Sequence, residues 1–201
     1  INEAPSYVRE GVEAIAIQEA REATLELPPL TDLKAALLDM MGAPGLASNR
    51  AIWERYDHEV RTDTVLGPGD ADAALLRVKG TPIGIAATVD QNPRYCRLDP
   101  FEGARLAVAE AARNLSCVGA TPLGVTDNLN FGNPERAEVY YEMQRSVAGL
   151  RDACLALGTP VTGGNVSLYN EWRAAGAAHT IPPTPTVGMV GLVEKPEHIT
   201  T

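Results

Sequence analysis

Three cysteines are all that 201 residues supply, and Cys96, Cys117 and Cys154 are far apart and odd in number. Neither a disulfide framework nor a Cys-x-x-Cys zinc site follows. Reduced thiols fit a cytoplasmic protein, and the helical spacing around Cys154 predicts a buried one. Basic residues are also short: 17 Lys and Arg against 26 Asp and Glu leave a net charge of −9, with no basic cluster. That excludes a nucleic-acid partner, which needs a basic surface. Nucleotide binding by so acidic a chain calls for Mg2+ to bridge carboxylates and phosphates. The three histidines are scattered, and no Ser–His–Asp or metal-helix spacing occurs. No apolar run approaches the length of a membrane span. The start, Ile1-Asn2-Glu3-Ala4-Pro5, has neither Met nor a signal-peptide pattern and reads as cut from a longer chain. Missing too are G-x-x-x-x-G-K-[ST], the Rossmann G-x-G-x-x-G and the kinase motif set.

What is present is an Ala-, Gly-, Val- and Leu-rich chain suited to helices packed tightly on a sheet. Residues 1–30 read as the end of a preceding domain and a partly helical linker, closed by Pro28-Pro29. Thr31 can cap a helix through Met41 with Gly42 as its stop, and Ser48 another to about Tyr56. Ala73–Val78 and Ile83–Val89 are apolar runs about Lys79-Gly80-Thr81-Pro82, a hairpin pattern. Asp99-Pro100-Phe101-Glu102 opens a helix with a cap, a first-turn proline and a capping-box acid. Its buried face runs Ala104, Val108, Ala111, Leu115, Val118, and Gly119 ends it. A strand at Leu123–Thr126 leads to a second helix opening at Asn133-Pro134-Glu135, with Val139, Met143, Val147, Leu150, Cys154 and Leu157 on one face and Gly158 as its stop. Pro160–Thr162 is a fourth strand, a looser segment with Pro182-Pro183 follows, and Thr186–Val193 is the last strand. The fold class is α/β, with helices over one face of a small mixed sheet. The apolar strands require cover on the other face as well, which a second copy or a partner domain would supply.

Four polar clusters stand out. Tyr56–Asp63 is either a solvated approach to the sheet or a site. Asp90-Gln91-Asn92-Pro93-Arg94-Tyr95 offers Arg94 to a phosphate, or is a turn. Thr126-Asp127-Asn128-Leu129-Asn130-Phe131 places a carboxylate after a strand, where it can hold a metal–nucleotide complex or cap local backbone. Gly163-Gly164-Asn165-Val166-Ser167-Leu168-Tyr169-Asn170-Glu171 reads as a strand-ending turn whose backbone N–H groups can cradle an anion, although such a turn is an ordinary one too. If the strands at 123–126 and 160–162 are neighbours, Asp127 and Asn165 leave the same end of the sheet, a preferred ligand position in open α/β folds.

In this order, Asp57-His-Glu-Val-Arg-Thr-Asp-Thr, Leu98-Asp-Pro, Ala109-Glu-Ala-Ala-Arg-Asn, Thr126-Asp-Asn-Leu-Asn-Phe-Gly-Asn-Pro, Gly163-Gly-Asn-Val-Ser-Leu-Tyr-Asn-Glu and Gly188-Met-Val-Gly-Leu-Val-Glu resemble the large (synthetase) subunit II of the phosphoribosylformylglycinamidine synthase family. The resemblance covers essentially residues 50–201. It implies an aminoimidazole ribonucleotide synthetase N-terminal-like domain over 31–201, the second copy of two in a longer chain. It further implies a pseudo-twofold barrel formed with the first copy through the open sheet face.

The activity implied is an ATP-dependent C–N ligation in de novo purine biosynthesis. ATP phosphorylates the formyl-amide oxygen of formylglycinamide ribonucleotide, ammonia from glutamine displaces phosphate, and the products are formylglycinamidine ribonucleotide, ADP and phosphate. Positioning and Mg2+ supply most of the help in such a transfer. By resemblance Asp127 and Gly164 contact ATP, Asn165 ligates Mg2+ and Ser167 contacts the ribonucleotide. The implied partners are the first half of the chain, a glutaminase subunit and a small bridging subunit. The family's catalytic histidines, its ATP-contacting lysine and most of its Mg2+ carboxylates belong to that first half, and His58, His179 and His198 do not sit in matching contexts. The expectation is a fragment inactive alone, homodimeric through its open face. The competing reading is a catalytically silent scaffold domain with a structural nucleotide. A selenophosphate- or thiamine-phosphate-kinase relative would not be expected to carry both asparagine-rich motifs.

Overall fold

β8 (Thr184–Val193) is the spine of the molecule, because its alternate residues Val187, Met189 and Val193 are almost wholly buried. The computed structural model describes residues 7–24, 26, 29, 31–174 and 176–200. Around β8 lie β1 (Thr64–Leu66), β2 (Ala74–Arg77), β3 (Gly84–Asp90), β4 (Thr121–Asn130) and β5 (Val161–Ser167), in the order β1-β2-β3-β8-β4-β5. β4 and β5 run parallel and every other neighbouring pair is antiparallel, so the sheet is mixed. A separate hairpin joins β6 (Glu171–Ala174) to β7 (Ala177–Thr180). The helices are α1 (Ile15–Glu22), α2 (Leu33–Gly42), α3 (Arg50–Trp53), α4 (Pro93–Leu98), α5 (Pro100–Cys117) and α6 (Ala137–Leu157).

α5 forms where its sequence pattern places it. Asp99 Oδ1 accepts from the N–H groups of Phe101 (2.9 Å) and Glu102 (3.1 Å), satisfying two orphan donors of the first turn. Glu102 does not complete a capping box; its carboxylate pairs with Arg105 one turn on. Ala104, Val108, Ala111, Leu115 and Val118 are all fully buried against the sheet. α6 is turned from its expected face. Val139, Leu150 and Cys154 are buried, but Val147 and Leu157 are exposed, and Ser146, Gly149 and Ala153 are buried instead. The cause is close packing on α5: a Cβ on Gly149 would stand 2.2 Å from the Phe101 carbonyl oxygen, so the small residues take the seam.

Other boundaries differ for local reasons. α6 begins at Ala137, not at Asn133, because the Asn133 side chain accepts from Glu135 N–H and closes a turn first. Asp32, not Thr31, caps α2, and Gly42 lies inside that helix. α3 ends at Trp53, short of Tyr56, with Asn49 at its cap position; Ser48 Oγ still accepts from Arg50 N–H. The segment after Asp90 is helix α4, capped by Asn92 through Arg94 and Tyr95 N–H, where a turn was one reading. The β6–β7 hairpin adds two strands within the segment expected to be looser, and β1 adds a strand ahead of the first one expected. In the N-terminal segment α1 packs on α4 and buries Ile17; Ile1–Ser6 and Pro28 lie outside the described residues.

The helices cover one face of the sheet. On the other, Leu76, Ile85, Val89 and Val190 are exposed in neighbouring strands, forming an open apolar surface. No helix among the described residues is long and apolar enough to cross a membrane.

Candidate functional site

The third and fourth polar clusters come together as a pair of parallel strands. Thr126 is opposite Gly163, Asp127 opposite Gly164, Asn128 opposite Asn165, Leu129 opposite Val166 and Asn130 opposite Ser167. The double glycine is therefore not a strand-ending turn. It lies inside β5, and its backbone is accessible because β5 is the last strand of the sheet. Glycine is needed there for space: a Cβ on Gly164 would stand 2.1 Å from Asp127 Oδ1 and 2.5 Å from the Asp127 carbonyl oxygen. No such contact awaits a Cβ on Gly163, around which nothing lies within 4 Å.

Strand alternation separates the candidate residues by face. Asp127 pairs with the buried Val187 of β8, which pairs in turn with Asp90 of β3, so Asp90, Val187, Asp127 and Gly164 form one row on the helix side. Asn128, Asn130, Asn165 and Ser167 belong to the open side. Asp127 and Asn165 thus lie at the same level of the sheet but project from opposite faces, and the exposed edge of β5 is where one ligand can meet both.

Desolvation pushes the Asp127 carboxyl up from its ordinary value, and the Asp127 charge adds to the rise that burial imposes on the Cys154 thiol. Among the described residues no side chain donates a hydrogen bond to Asp127, which leaves its oxygens for a donor or a cation. Asp90 is also raised, first by burial and further by Glu110. Hydrogen bonds from Thr88 Oγ1 (2.9 Å) and Asn114 Nδ2 (2.8 Å), with Arg113 nearby, oppose that rise. Asn114 belongs to the Ala-Glu-Ala-Ala-Arg-Asn motif, and this bond ties α5 to the end of β3.

Beyond the paired strands the chain is clamped. Asn170 Nδ2 donates to the Phe131 carbonyl (3.0 Å) and the Ser167 carbonyl (2.9 Å), while Ser167 Oγ lies 3.2 Å from Asn170 Oδ1. Tyr169, at φ 61°, donates its N–H to the Gly132 carbonyl, and Glu171 Oε1 accepts from Asn133 N–H. Asn130 Nδ2 reaches the Asn128 carbonyl at 2.9 Å. The role of Asn170 required the fold to be seen, since Asn170 is 39 residues from Phe131.

Of the other two clusters, the second reaches this row through Asp90, and the first lies away from it. Asp57–Asp63 precede β1, at the opposite edge of the sheet, where Lys79 pairs with Asp63 at 3.0 Å. Arg94 is exposed on α4. No group of three His, Cys, Asp or Glu able to hold a metal occurs among the described residues. Asn165 offers a single neutral amide oxygen, a group that can serve Mg2+ as one of several oxygen ligands.

The chain is similar to known proteins in sequence and in fold. The chain is 62% identical over 194 residues to phosphoribosylformylglycinamidine synthase subunit PurL of Deinococcus radiodurans, covering 96% of this chain and 26% of that one. T. maritima PurL complexed with ATP superposes at a TM-score of 0.63 with 35% identity, over 73% of this chain and 23% of that chain. T. maritima PurL complexed with FGAR does so at 0.64 with 36% identity, over 77% and 24%. The chain spans about a quarter of the length of these relatives. Residues 70–193, from the turn before β2 to the end of β8, match the AIR synthase related protein, N-terminal domain, and the chain belongs to that family.

Proposed function

We propose that this chain forms part of an ATP-dependent C–N ligase of purine biosynthesis. In that enzyme formylglycinamide ribonucleotide, ammonia from glutamine and ATP give formylglycinamidine ribonucleotide, ADP and phosphate. The observation that carries the reading is the in-register pairing of the two asparagine-rich motifs, Thr126–Asn130 beside Gly163–Ser167, in a chain 62% identical to one subunit of such a synthase.

On this reading Asp127 and the Gly164 backbone contact ATP, and Ser167 contacts the ribonucleotide. Asn165 is one ligand of a Mg2+ ion that neutralises phosphate charge when bound. The free edge of β5 suits an anion because its outward N–H groups have no strand partner among the described residues. Asp127 suits donor groups of the nucleotide because no side chain among the described residues donates a hydrogen bond to its carboxylate. The open face bearing Ile85, Val89 and Val190 pairs with the first half of the longer chain, and a glutaminase subunit and a small bridging subunit complete the assembly. Residues 1–30 are the end of the preceding domain and a linker, and 31–201 the second copy of the synthetase domain. The setting is the cytoplasm.

The test is turnover by the isolated chain supplied with ATP, Mg2+, formylglycinamide ribonucleotide and ammonia. A site completed by the first half requires no amidine product; product would overturn that reading. The second reading, a silent scaffold with a structural nucleotide, draws on the exposed Leu76, Ile85, Val89 and Val190 of the open face. Substitution of Asp127 in the full-length enzyme separates the two.

A further inference from the structure

The Asn170 amide has its orientation dictated by its surroundings. One end faces the carbonyl oxygens of Phe131 (3.0 Å) and Ser167 (2.9 Å), which can only accept, so that end is the NH2 and both its hydrogens are committed. The other end, Oδ1, has only acceptor capacity and lies 3.2 Å from Ser167 Oγ, placed to accept from it. Ser167 Oγ also stands 3.1 Å from Nδ2, whose hydrogens are already engaged by the two carbonyls. The backbone of Asn170 is held as well: its N–H reaches the Phe131 carbonyl and its own carbonyl accepts from Ile181 N–H at 3.1 Å. Asn170 thereby fixes the end of β5 to the residue after β4 and to the residue after β7.

We propose that Asn170 is a positioning residue that orients the Ser167 hydroxyl in the ribonucleotide site, so that Ser167 meets its ligand as a hydrogen-bond acceptor. The hydroxyl proton points at Asn170 Oδ1, which leaves the Ser167 lone pairs for an incoming donor. A ribose hydroxyl or an amide N–H of the ribonucleotide is such a donor; a fully ionised phosphate oxygen is not. The proposal rests on the reading of Ser167 as a substrate contact.

The test is a double-mutant cycle in the full-length synthetase, with ammonia as nitrogen donor and KM measured for both formylglycinamide ribonucleotide and ATP. Ser167→Ala and Asn170→Ala are each expected to raise the ribonucleotide KM about tenfold, the worth of one hydrogen bond. The double variant is expected to be no worse than either, with the KM for ATP unchanged. A purely structural role would lower kcat and disturb both substrates together. If Ser167→Ala raises the ribonucleotide KM but Asn170→Ala does not, or if their effects multiply, the positioning role is overturned while the Ser167 reading stands. If Ser167→Ala leaves that KM unchanged, the Ser167 reading fails and the proposal falls with it. Should Asn170→Ala not fold, Asn170→Ser, which keeps a donor for one carbonyl but cannot span to Ser167 Oγ, is judged by the same outcomes.

Discussion

Asp127 on β4 and Gly164 on β5 are paired in register so closely that no side chain fits at position 164. A methyl group there would meet both the Asp127 carboxylate and its backbone carbonyl, and the carbonyl cannot move without parting the two strands. Gly164→Ala is expected to cost about 1–3 kcal/mol, the range for overpacking a fitted site. Gly163→Ala, with open space around it, is expected to change stability by less than about 1 kcal/mol. Denaturant melts of the two variants check the contrast; equal losses would show that the Asp127 contact is not the cause.

Glu142 on α6 gives the chain a pH-dependent stability. Burial pushes its carboxyl from 4.5 up to about 7, despite Arg97 and Arg136 nearby. The folded state holds this proton more tightly than the unfolded one. The contribution is therefore complete below the ordinary value and is lost as pH rises through about 7. Glu142→Gln is expected to melt with the parent near pH ~4.5 and to exceed it by a few degrees near pH ~8. A variant equal to the parent at both ends would contradict the desolvation of Glu142.

The open sheet face sets the behaviour of the isolated chain. Ile85, Val89 and Val190 lie exposed on neighbouring strands, and a second copy can cover them by a twofold, self-complementary contact. The isolated chain is expected to be a dimer by light scattering, and Val190→Asp a monomer. A monodisperse monomer of the parent chain would count against this surface.

The local elements were legible because their signals are local. Asp99 and Pro100 announce α5, the three-to-four spacing from Ala104 to Val118 gives its buried face, and Lys79-Gly80 divides β2 from β3. The site was legible as two motifs but not as a surface. Gly163-Gly164 carries a turn signal, yet it sits in a strand because the neighbour opposite is Asp127, a pairing between residues 37 apart in the chain. For the same reason the sequence pattern could not tell that Asp127 and Asn165 lie on opposite faces, since one step of register exchanges the two faces. The buried face of α6 departs from the one its apolar spacing outlines because Gly149, which that spacing passes over, packs directly on the Phe101 carbonyl of α5. The β6–β7 hairpin has few apolar residues to betray it; its Trp172 and His179 rings stack across the two strands at 5.3 Å.

The most direct measurement is steady-state turnover of the full-length synthetase carrying Asp127→Ala, with its melting temperature taken alongside. Asp127 is partly exposed and accepts no hydrogen bond from any described side chain, so its removal is expected to leave folding intact and to lower turnover at least tenfold, with a raised KM for ATP. Near-normal turnover in the folded variant would contradict an active-site role for the β4–β5 edge and leave this domain as a scaffold.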